Sequence, residues 1–229
     1  MRKEDAIKEI KKKLRTRENG PASEAMGNLG IKYKRNHGLS VKQIKQIAEP
    51  YLNDHELAVE LFKEDVREFR IMSFVIENAE TVSEEQVNEW VCSLTDSEQA
   101  EQIAINLLVY NTNFYKKIAD WAKSENQYVR RTAFVLIARI AMYHKKNYPI
   151  KEYLKLVELC RVHANDESII VAKAISWGLR RMGRLDKELY YVVLDISEEL
   201  NLRKTHYTQL VAEEITYELN DGMIKSMIF

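Results

Sequence analysis

The chain has 229 residues, of which 45% are hydrophobic, enough for one sizeable core or for a continuous array of packed helices. Its 35 Lys and Arg residues balance 35 Asp and Glu residues. This balance excludes a uniformly basic surface and leaves a local basic patch as the way to hold nucleic acid. The two cysteines, Cys92 and Cys160, lack metal-ligand spacing, which is typical of reduced thiols in an intracellular protein.

No apolar run reaches membrane-spanning length, and the first residues lack the apolar region of a signal peptide. We therefore expect a cytoplasmic protein that makes no contact with a membrane.

Apolar residues recur at intervals of three and four along the whole chain. The pattern is clearest in residues 4–16, 40–52, 129–143 and 168–182. This spacing places the apolar side chains on one face of a helix and does not fit the alternation of a strand. We predict an all-α protein with about twelve helices of roughly 8–17 residues.

Polar residues that favour helix starts precede several of these segments. Asp54 precedes one apolar run, and Ser83 precedes another with Gln86 three residues later, which is the spacing of a capping box. Asn126 and Asp166 are expected to begin two more helices.

The predicted helices form pairs that repeat about every 35–45 residues, the range of HEAT repeats. We expect residues 1–229 to form a single HEAT-like repeat domain, a curved α-α superhelix of antiparallel helix pairs. An irregular all-α globule is the alternative. The first 18 residues hold eight Lys and Arg against four Asp and Glu, and they are expected to form a loosely attached basic helix.

One predicted helix, residues 168–184, carries a basic stripe around a tryptophan. Lys173, Trp177, Arg180 and Arg184 recur at intervals of four, three and four, away from the apolar face, with Arg181 beside them. Cations on such a face can hold phosphates while an indole packs on a sugar or base. The alternative is that Trp177 packs against a neighbouring helix and the cations are only solvated.

A second basic position lies at the start of the helix that follows Asn126. Arg130 and Arg131 fall in its first turns, and Arg131 lies on the polar side of the helix. Because a helix N-terminus already attracts anions, an arginine there favours a phosphate site. By contrast, residues 80–101 are rich in glutamate, and most of that charge is expected on a solvated face.

Three segments carry a resemblance to a known family. Residues 36–78 resemble the early repeats of the HEAT-like DNA alkylation repair family, the AlkD-type alkylpurine DNA glycosylases. Residues 121–138, with Trp-x-x-Ser-x-Asn at the start, and residues 166–184, with Lys-Ala-Ile-Ser-Trp-x-Leu-Arg, are similar to two later helices of that family. The resemblance covers roughly residues 26–185.

The resemblance implies a concave basic surface that holds double-stranded DNA by its backbone. It also implies hydrolysis of the N-glycosidic bond of alkylated purines, of the 3-methyladenine and 7-methylguanine type. A carboxylate beside the sugar stabilises the oxocarbenium-like transition state, so the resemblance implies no metal and no organic cofactor. We expect a monomer.

The family's functional positions can be matched one at a time. Trp177 matches an aromatic wall of the base-binding cradle, and Arg131 matches a DNA-contacting arginine. The family's Trp-Asp-x-x-Asp motif aligns with residues 97–101, so that Ser97 replaces the tryptophan, Glu98 the first aspartate and Glu101 the catalytic aspartate. We therefore predict Glu101 as the catalytic residue, Trp177 as the aromatic cradle, and Arg131, Lys173, Arg180 and Arg184 as DNA-binding residues.

Three functions remain open on the sequence. The first is an alkylpurine DNA glycosylase with a modified active site. The second is a non-catalytic relative that binds DNA through the same surface, including damaged or branched DNA. The third is a HEAT-type scaffold for protein interactions with no DNA role. We expect the first, and Ser97, which removes one wall of the cradle, is the observation that keeps the second open.

Overall fold

The structure is a computed structural model that describes residues 2–229, except for the side chain of Lys146. The first seven helices are α1 (Lys3–Arg15), α2 (Gly20–Asn28), α3 (Val41–Ala48), α4 (His55–Lys63), α5 (Arg67–Ile76), α6 (Glu84–Cys92) and α7 (Ser97–Asn106). The next seven are α8 (Ile118–Trp121), α9 (Gln127–His144), α10 (Ile150–His163), α11 (Ile169–Met182), α12 (Lys187–Arg203), α13 (Thr208–Leu219) and α14 (Gly222–Ile228). Short 3₁₀ turns occupy Glu49–Tyr51, Leu108–Tyr110, Thr112–Lys117 and Lys145–Asn147.

The all-helical prediction is confirmed. Within residues 2–229 the one β-type pairing is an isolated bridge between Arg35 and Val66. The helices are more numerous than the expected twelve because α8 and α14, with 4 and 7 residues, are shorter than the predicted minimum. None of the helices in the described part of the chain is long and apolar enough to cross a membrane.

The predicted helix starts are confirmed at three positions and shifted at a fourth. The side chains of Asp54, Ser83 and Asn126 accept backbone N–H groups at the starts of α4, α6 and α9. The N-cap of α11 is Ser168 and not Asp166. The carboxylate of Asp166 instead accepts the Ser168 N–H at 2.8 Å and so shapes the turn before the helix.

Contacts divide the chain into two compact units, residues 1–111 and 112–229. In the first unit α5 packs against α3, α4 and α7, and α4 packs against α1. In the second unit α11 lies between α9 and α13, while α10 and α12 pack on each other and on this layer. Helices α9, α11 and α13 begin at residues 127, 169 and 208, so the second unit repeats at the spacing predicted for HEAT-like pairs.

The basic N-terminal helix is not loosely attached, which corrects the expectation for the first 18 residues. Ala6, Ile10 and Leu14 of α1 are buried, with exposed fractions of 2% or less. The lysine stems also contribute, since Lys11 Nζ lies 5.7 Å from the centre of the Phe69 ring. The charged residues of α1 therefore lie on its solvated face, and its buried apolar residues attach the helix to the first unit.

The loop before α3 is anchored by a close backbone approach at Gly38. Gly38 has a φ of +73°, and a Cβ there would lie 2.1 Å from the Asn19 carbonyl oxygen. The fully buried carboxylate of Glu68 accepts the backbone N–H groups of His37 and Leu39 at 3.1 and 3.3 Å. Residue 38 must be a glycine because of its positive φ and because the Asn19 carbonyl leaves no room for a Cβ.

Candidate nucleic-acid interface

The apolar and basic faces of α11 separate as the sequence predicts. Val171, Ala174, Ile175, Gly178, Leu179 and Met182 are buried. On the other side of the helix Lys173 is exposed, while Trp177, Arg180 and Arg184 are half-buried. Of the three tryptophans in the chain, Trp90 and Trp121 are buried. Trp177 differs from them because it is only half-buried.

Two of the predicted DNA-binding arginines are paired with carboxylates of α13. Arg180 Nη1 donates to Glu218 Oε2, and Arg184 Nη1 donates to Glu218 Oε1 at 2.9 Å. Arg180 Nη2 also lies 3.5 Å from Glu214 Oε2, and Ser176 Oγ donates to the same oxygen at 2.5 Å. The glutamates were not anticipated from the sequence, because the residues of α13 are 38 positions away from their partners on α11.

Burial and hydrogen bonding act in opposite directions on Glu218. Burial disfavours its charged form, but the hydrogen bonds from Arg180 and Arg184 outweigh this and lower the pKa of Glu218 below its ordinary value. Glu218 is therefore ionised at neutral pH and cancels part of the positive charge on α11.

Neighbouring arginines at the start of α9 differ in their surroundings. Arg130 binds Asp166 with two hydrogen bonds of 2.6 and 3.0 Å, and it also donates to the Ser124 and Glu125 carbonyls. Arg131 Nη1 donates to the Ile170 carbonyl in the first turn of α11 at 2.7 Å. Arg130 thus stabilises the turns before α9 and α11, whereas Arg131 connects α9 to the first turn of α11.

Helix α9 packs closely on α11 at Gly178. A Cβ at residue 178 would lie 3.4 Å from Ile137 Cγ2 and 3.6 Å from the Phe134 carbonyl oxygen, which is van der Waals contact. The position therefore has room for a Cβ but little for a longer side chain.

A second arginine pair on the same two helices was missed by sequence reasoning. Arg139 of α9 and Arg181 of α11 are half-buried, and the Nε atom of each is buried with no hydrogen-bond partner among the described residues. Arg139 lies within a long apolar run, and Arg181 adjoins the predicted stripe. The two residues are on different helices, so only the packing of α9 on α11 shows that they are neighbours.

The helix α7 carries the segment aligned with the family's catalytic motif. Its N-cap is Asp96 and not Ser97, because the Asp96 carboxylate accepts the Gln99 N–H at 2.8 Å. Ser97 is the first residue of the helix. Asp96 also accepts a 2.8 Å hydrogen bond from the Tyr33 hydroxyl.

Of the two acids in this motif, Glu98 has a structural role. Its carboxylate accepts two hydrogen bonds of 2.6 Å from Arg67, whose side chain is only 1% exposed. Arg67 also donates to the Leu39 carbonyl at 2.8 Å and to Glu68 at 3.2 Å. Burial lowers the pKa of Arg67, but the hydrogen bonds and charge of Glu98 outweigh it and raise that pKa. Glu98 therefore joins α7 to the buried Arg67 of α5.

The second acid, Glu101, lies one turn further along α7 and is half-buried. It belongs to the first unit, whereas Arg131, Lys173, Trp177, Arg180 and Arg184 belong to the second. Within the second unit Arg131 lies on α9, Lys173, Trp177 and Arg180 lie on the adjoining α11, and Arg184 lies in the turn after α11.

Comparison with known proteins decides the family. The sequence profile of a family described as DNA alkylation repair enzyme matches residues 10–208. The chain belongs to this family. Curated proteins provide no match to it.

Two solved structures are similar to this DNA alkylation repair family member. One is described as a new family of proteins related to the HEAT-like repeat DNA glycosylases with affinity for branched DNA structures. It is 15% identical, covers 93% of this chain and 95% of its own, and has a TM-score of 0.76. The other is an engineered protein with 16% identity, a TM-score of 0.45, and coverage of 83% of this chain and 86% of its own. At this identity the first likeness shows the fold, which is that of the HEAT-like repeat proteins.

Proposed function

We propose that this DNA alkylation repair family member binds double-stranded DNA through the exposed sides of α9 and α11. The observation that carries the proposal is the half-buried Trp177 between Lys173 and Arg180 on α11, with Arg131 of α9 bound to the first turn of the same helix. Cations at this spacing suit the phosphates of a backbone, and an indole suits the face of a sugar or base. The similar solved protein has affinity for branched DNA, so we include branched duplexes among the expected ligands.

A binding titration against salt concentration tests this proposal. Fluorescence anisotropy would compare a linear duplex with a four-way junction at several KCl concentrations. Each phosphate contact should contribute about 0.9 to the slope of log affinity against log salt. Wild type is expected to bind with a steep slope, and the variant Lys173→Gln/Trp177→Ala is expected to bind at least tenfold more weakly, because it loses one phosphate contact and one stacking contact worth about 1–3 kcal/mol.

The matched control is Lys155→Gln/Tyr217→Ala. Lys155 is an exposed residue of α10 paired with Glu152, and Tyr217 is 88% exposed on α13. This control removes the same charge and a comparable aromatic ring away from the proposed surface. Equal losses in the two double variants would move the DNA site elsewhere, and no DNA binding by wild type would favour the protein-interaction scaffold.

We further propose that the bound DNA is a glycosylase substrate, and that Glu101 supplies the carboxylate that stabilises the oxocarbenium-like sugar. Glu98 is bound to the buried Arg67, and Glu101 is the residue aligned with the family's catalytic aspartate, which supports its choice as the catalytic acid. A fixed negative charge near C1′ lowers the barrier to loss of an alkylated purine, which departs as a neutral base. Trp177 is proposed, within the second unit, as the aromatic cradle residue.

Release of methylated bases tests the catalytic proposal. Duplex DNA treated with a methylating agent would be incubated with the protein, and free 3-methyladenine and 7-methylguanine would be quantified by mass spectrometry. Glu101→Gln should abolish release while DNA affinity stays equal or rises slightly. Glu89→Gln, which changes an exposed glutamate on α6, should leave release unchanged.

A restored motif separates the catalytic and the non-catalytic proposals. The double variant Ser97→Trp/Glu101→Asp recreates the family's Trp-Asp-x-x-Asp pattern at both of its altered functional positions. A gain of base release would show a glycosylase scaffold whose cradle is incomplete. If wild type and this variant both bind methylated DNA without releasing a base, the protein is a non-catalytic DNA-binding member of the family.

A further inference from the structure

The charges on the second unit are unevenly distributed between two groups of arginines. Arg180 and Arg184 pair with Glu218, and Arg180 Nη2 also lies 3.5 Å from Glu214 Oε2. Where α9 packs on α11, Gly178 faces Ile137, and Arg181 and Arg139 each follow these residues within one turn. Both oxygens of Glu218 are taken, one by Arg180 and one by Arg184. The hydrogen bonds of Glu218 therefore go to Arg180 and Arg184, and Arg181 interacts with its charge without forming an ion pair.

Arg139 and Arg181 have few polar partners. Neither forms an ion pair with a carboxylate of the described residues, and the one hydrogen bond of either guanidinium is a weak contact of 3.8 Å from Arg139 Nη1 to Met142 Sδ. Burial lowers the pKa of Arg181, Glu218 opposes this, and the positive charges of Arg184, Arg180 and Arg139 lower it further. An arginine cluster of this kind carries a cost in the free protein that a bound anion would remove.

We propose that Arg139 and Arg181 together form a phosphate-binding site for a phosphodiester of the DNA backbone. Two planar guanidinium groups, one from each of two adjoining helices, can hold the non-bridging oxygens of one phosphate by paired hydrogen bonds. This inference rests on the proposed DNA binding and changes which arginines make the main contact. It assigns the main electrostatic contact to Arg139 and Arg181, and it assigns Arg180 and Arg184 to a paired border that keeps the cluster in place.

The test compares two double variants that remove the same charge from the same unit. One is Arg139→Gln/Arg181→Gln. The other is Arg161→Gln/Arg203→Gln, which removes two arginines that are already paired with Glu158 and Glu199 on α10 and α12. Affinity for a 20-base-pair duplex would be measured by anisotropy over a series of KCl concentrations.

The first variant should weaken duplex binding about a hundredfold at low salt and reduce the slope of log affinity against log salt by about two, since two contacts that release counterions are lost. The control should leave the slope unchanged. Arg139→Lys/Arg181→Lys keeps the charge without the planar fork and should regain part of the affinity. If Arg139→Gln/Arg181→Gln binds the duplex like wild type, the site is overturned while the proposed DNA binding stands.

Thermal unfolding supplies a readout that does not depend on DNA. Inorganic pyrophosphate should raise the Tm of wild type and leave that of Arg139→Gln/Arg181→Gln unchanged, because a ligand of the native state stabilises it. In the absence of anion the Gln variant should keep or exceed the wild-type Tm, and a lower Tm would indicate a structural role and overturn the proposal. If wild type binds no duplex but still responds to pyrophosphate through these residues, the anion site stands and the proposed DNA function fails. If wild type responds to neither, both fail.

Discussion

Two ion-pair networks, one in each unit, use the same chemistry at different depths. In the first unit Arg67 binds both oxygens of Glu98 and is 1% exposed. In the second unit Arg180 and Arg184 share Glu218 and are 22% and 28% exposed. The comparison shows why two basic positions that look alike in sequence have different roles: the sealed pair holds helices together, and the open group remains within reach of a ligand.

Desolvation accounts for this difference. A charge sealed in the core has no water to replace a missing partner, so breaking such a pair costs about 3–5 kcal/mol. A pair near the surface is screened and contributes about 0–1 kcal/mol. The largest effect on stability is therefore expected in the buried network of the first unit, and a smaller one in the open network of the second.

Glu98→Gln should produce the largest loss. Arg67 would keep Glu68 and the Leu39 carbonyl but lose its bidentate partner, so we expect the free energy of unfolding to fall by about 3 kcal/mol. Urea denaturation followed by far-UV circular dichroism would measure it. The matched change is Glu158→Gln, which removes an exposed partner of Arg161 and should cost less than about 0.5 kcal/mol. Similar losses in the two variants would contradict the explanation that burial of Arg67 makes its ion pair the more important for stability.

Acid should weaken the sealed region of the first unit before it affects the carboxylates. His37 is 4% exposed, and burial lowers its pKa below the ordinary value. The unfolded chain therefore takes up the proton first, and the stability present above about pH 6.5 is lost as the pH falls. Burial also lowers the pKa values of His144 and His163 in the second unit, which adds to the same loss.

The measurement is the free energy of unfolding at intervals between pH 7.5 and pH 5. Wild type should lose stability throughout this range. His37→Gln should show a shallower dependence, whereas replacement of the exposed His206 should leave the dependence unchanged. A flat profile in wild type would show that His37 stays accessible to protons.

Glu218→Gln should reduce stability less than Glu98→Gln does, and it should strengthen duplex binding. We expect a loss of up to about 1 kcal/mol, discounted for solvent screening, and a several-fold gain in duplex affinity because Arg180 and Arg184 are no longer neutralised. Since the pKa of Glu218 is lowered in the folded protein, its contribution is complete above about pH 4.5 and disappears as the pH falls further. The stability difference from wild type should close in that acid range, and a weaker duplex affinity in Glu218→Gln would contradict this account.

Much of the helical architecture could be predicted, because it depends on periodicity along the chain. The apolar face of α11 and the caps Asp54, Ser83 and Asn126 follow from residues close in sequence. The short helices α8 and α14 could not be predicted, since they are too short to show a period. The attachment of α1 was also misjudged, because its charge count concealed three buried apolar residues.

The candidate site was predictable only where one helix supplies it. The stripe on α11 is visible in the sequence because its members recur within a few turns. The glutamates of α13 and the pairing of Glu98 with Arg67 join residues 31–38 positions apart, so no local pattern reveals them. The same holds for Arg139 and Arg181, which lie on neighbouring helices.

The tethering of Arg180 and Arg184 has a further consequence for how a ligand would be met. A free arginine on a helix surface samples many rotamers, and fixing it on binding costs about 0.5–1.5 kcal/mol in lost entropy. Here Glu214, Glu218 and Ser176 already limit that sampling in the folded protein. Folding has ordered these side chains in advance, so association would require little further loss of conformational freedom on α11.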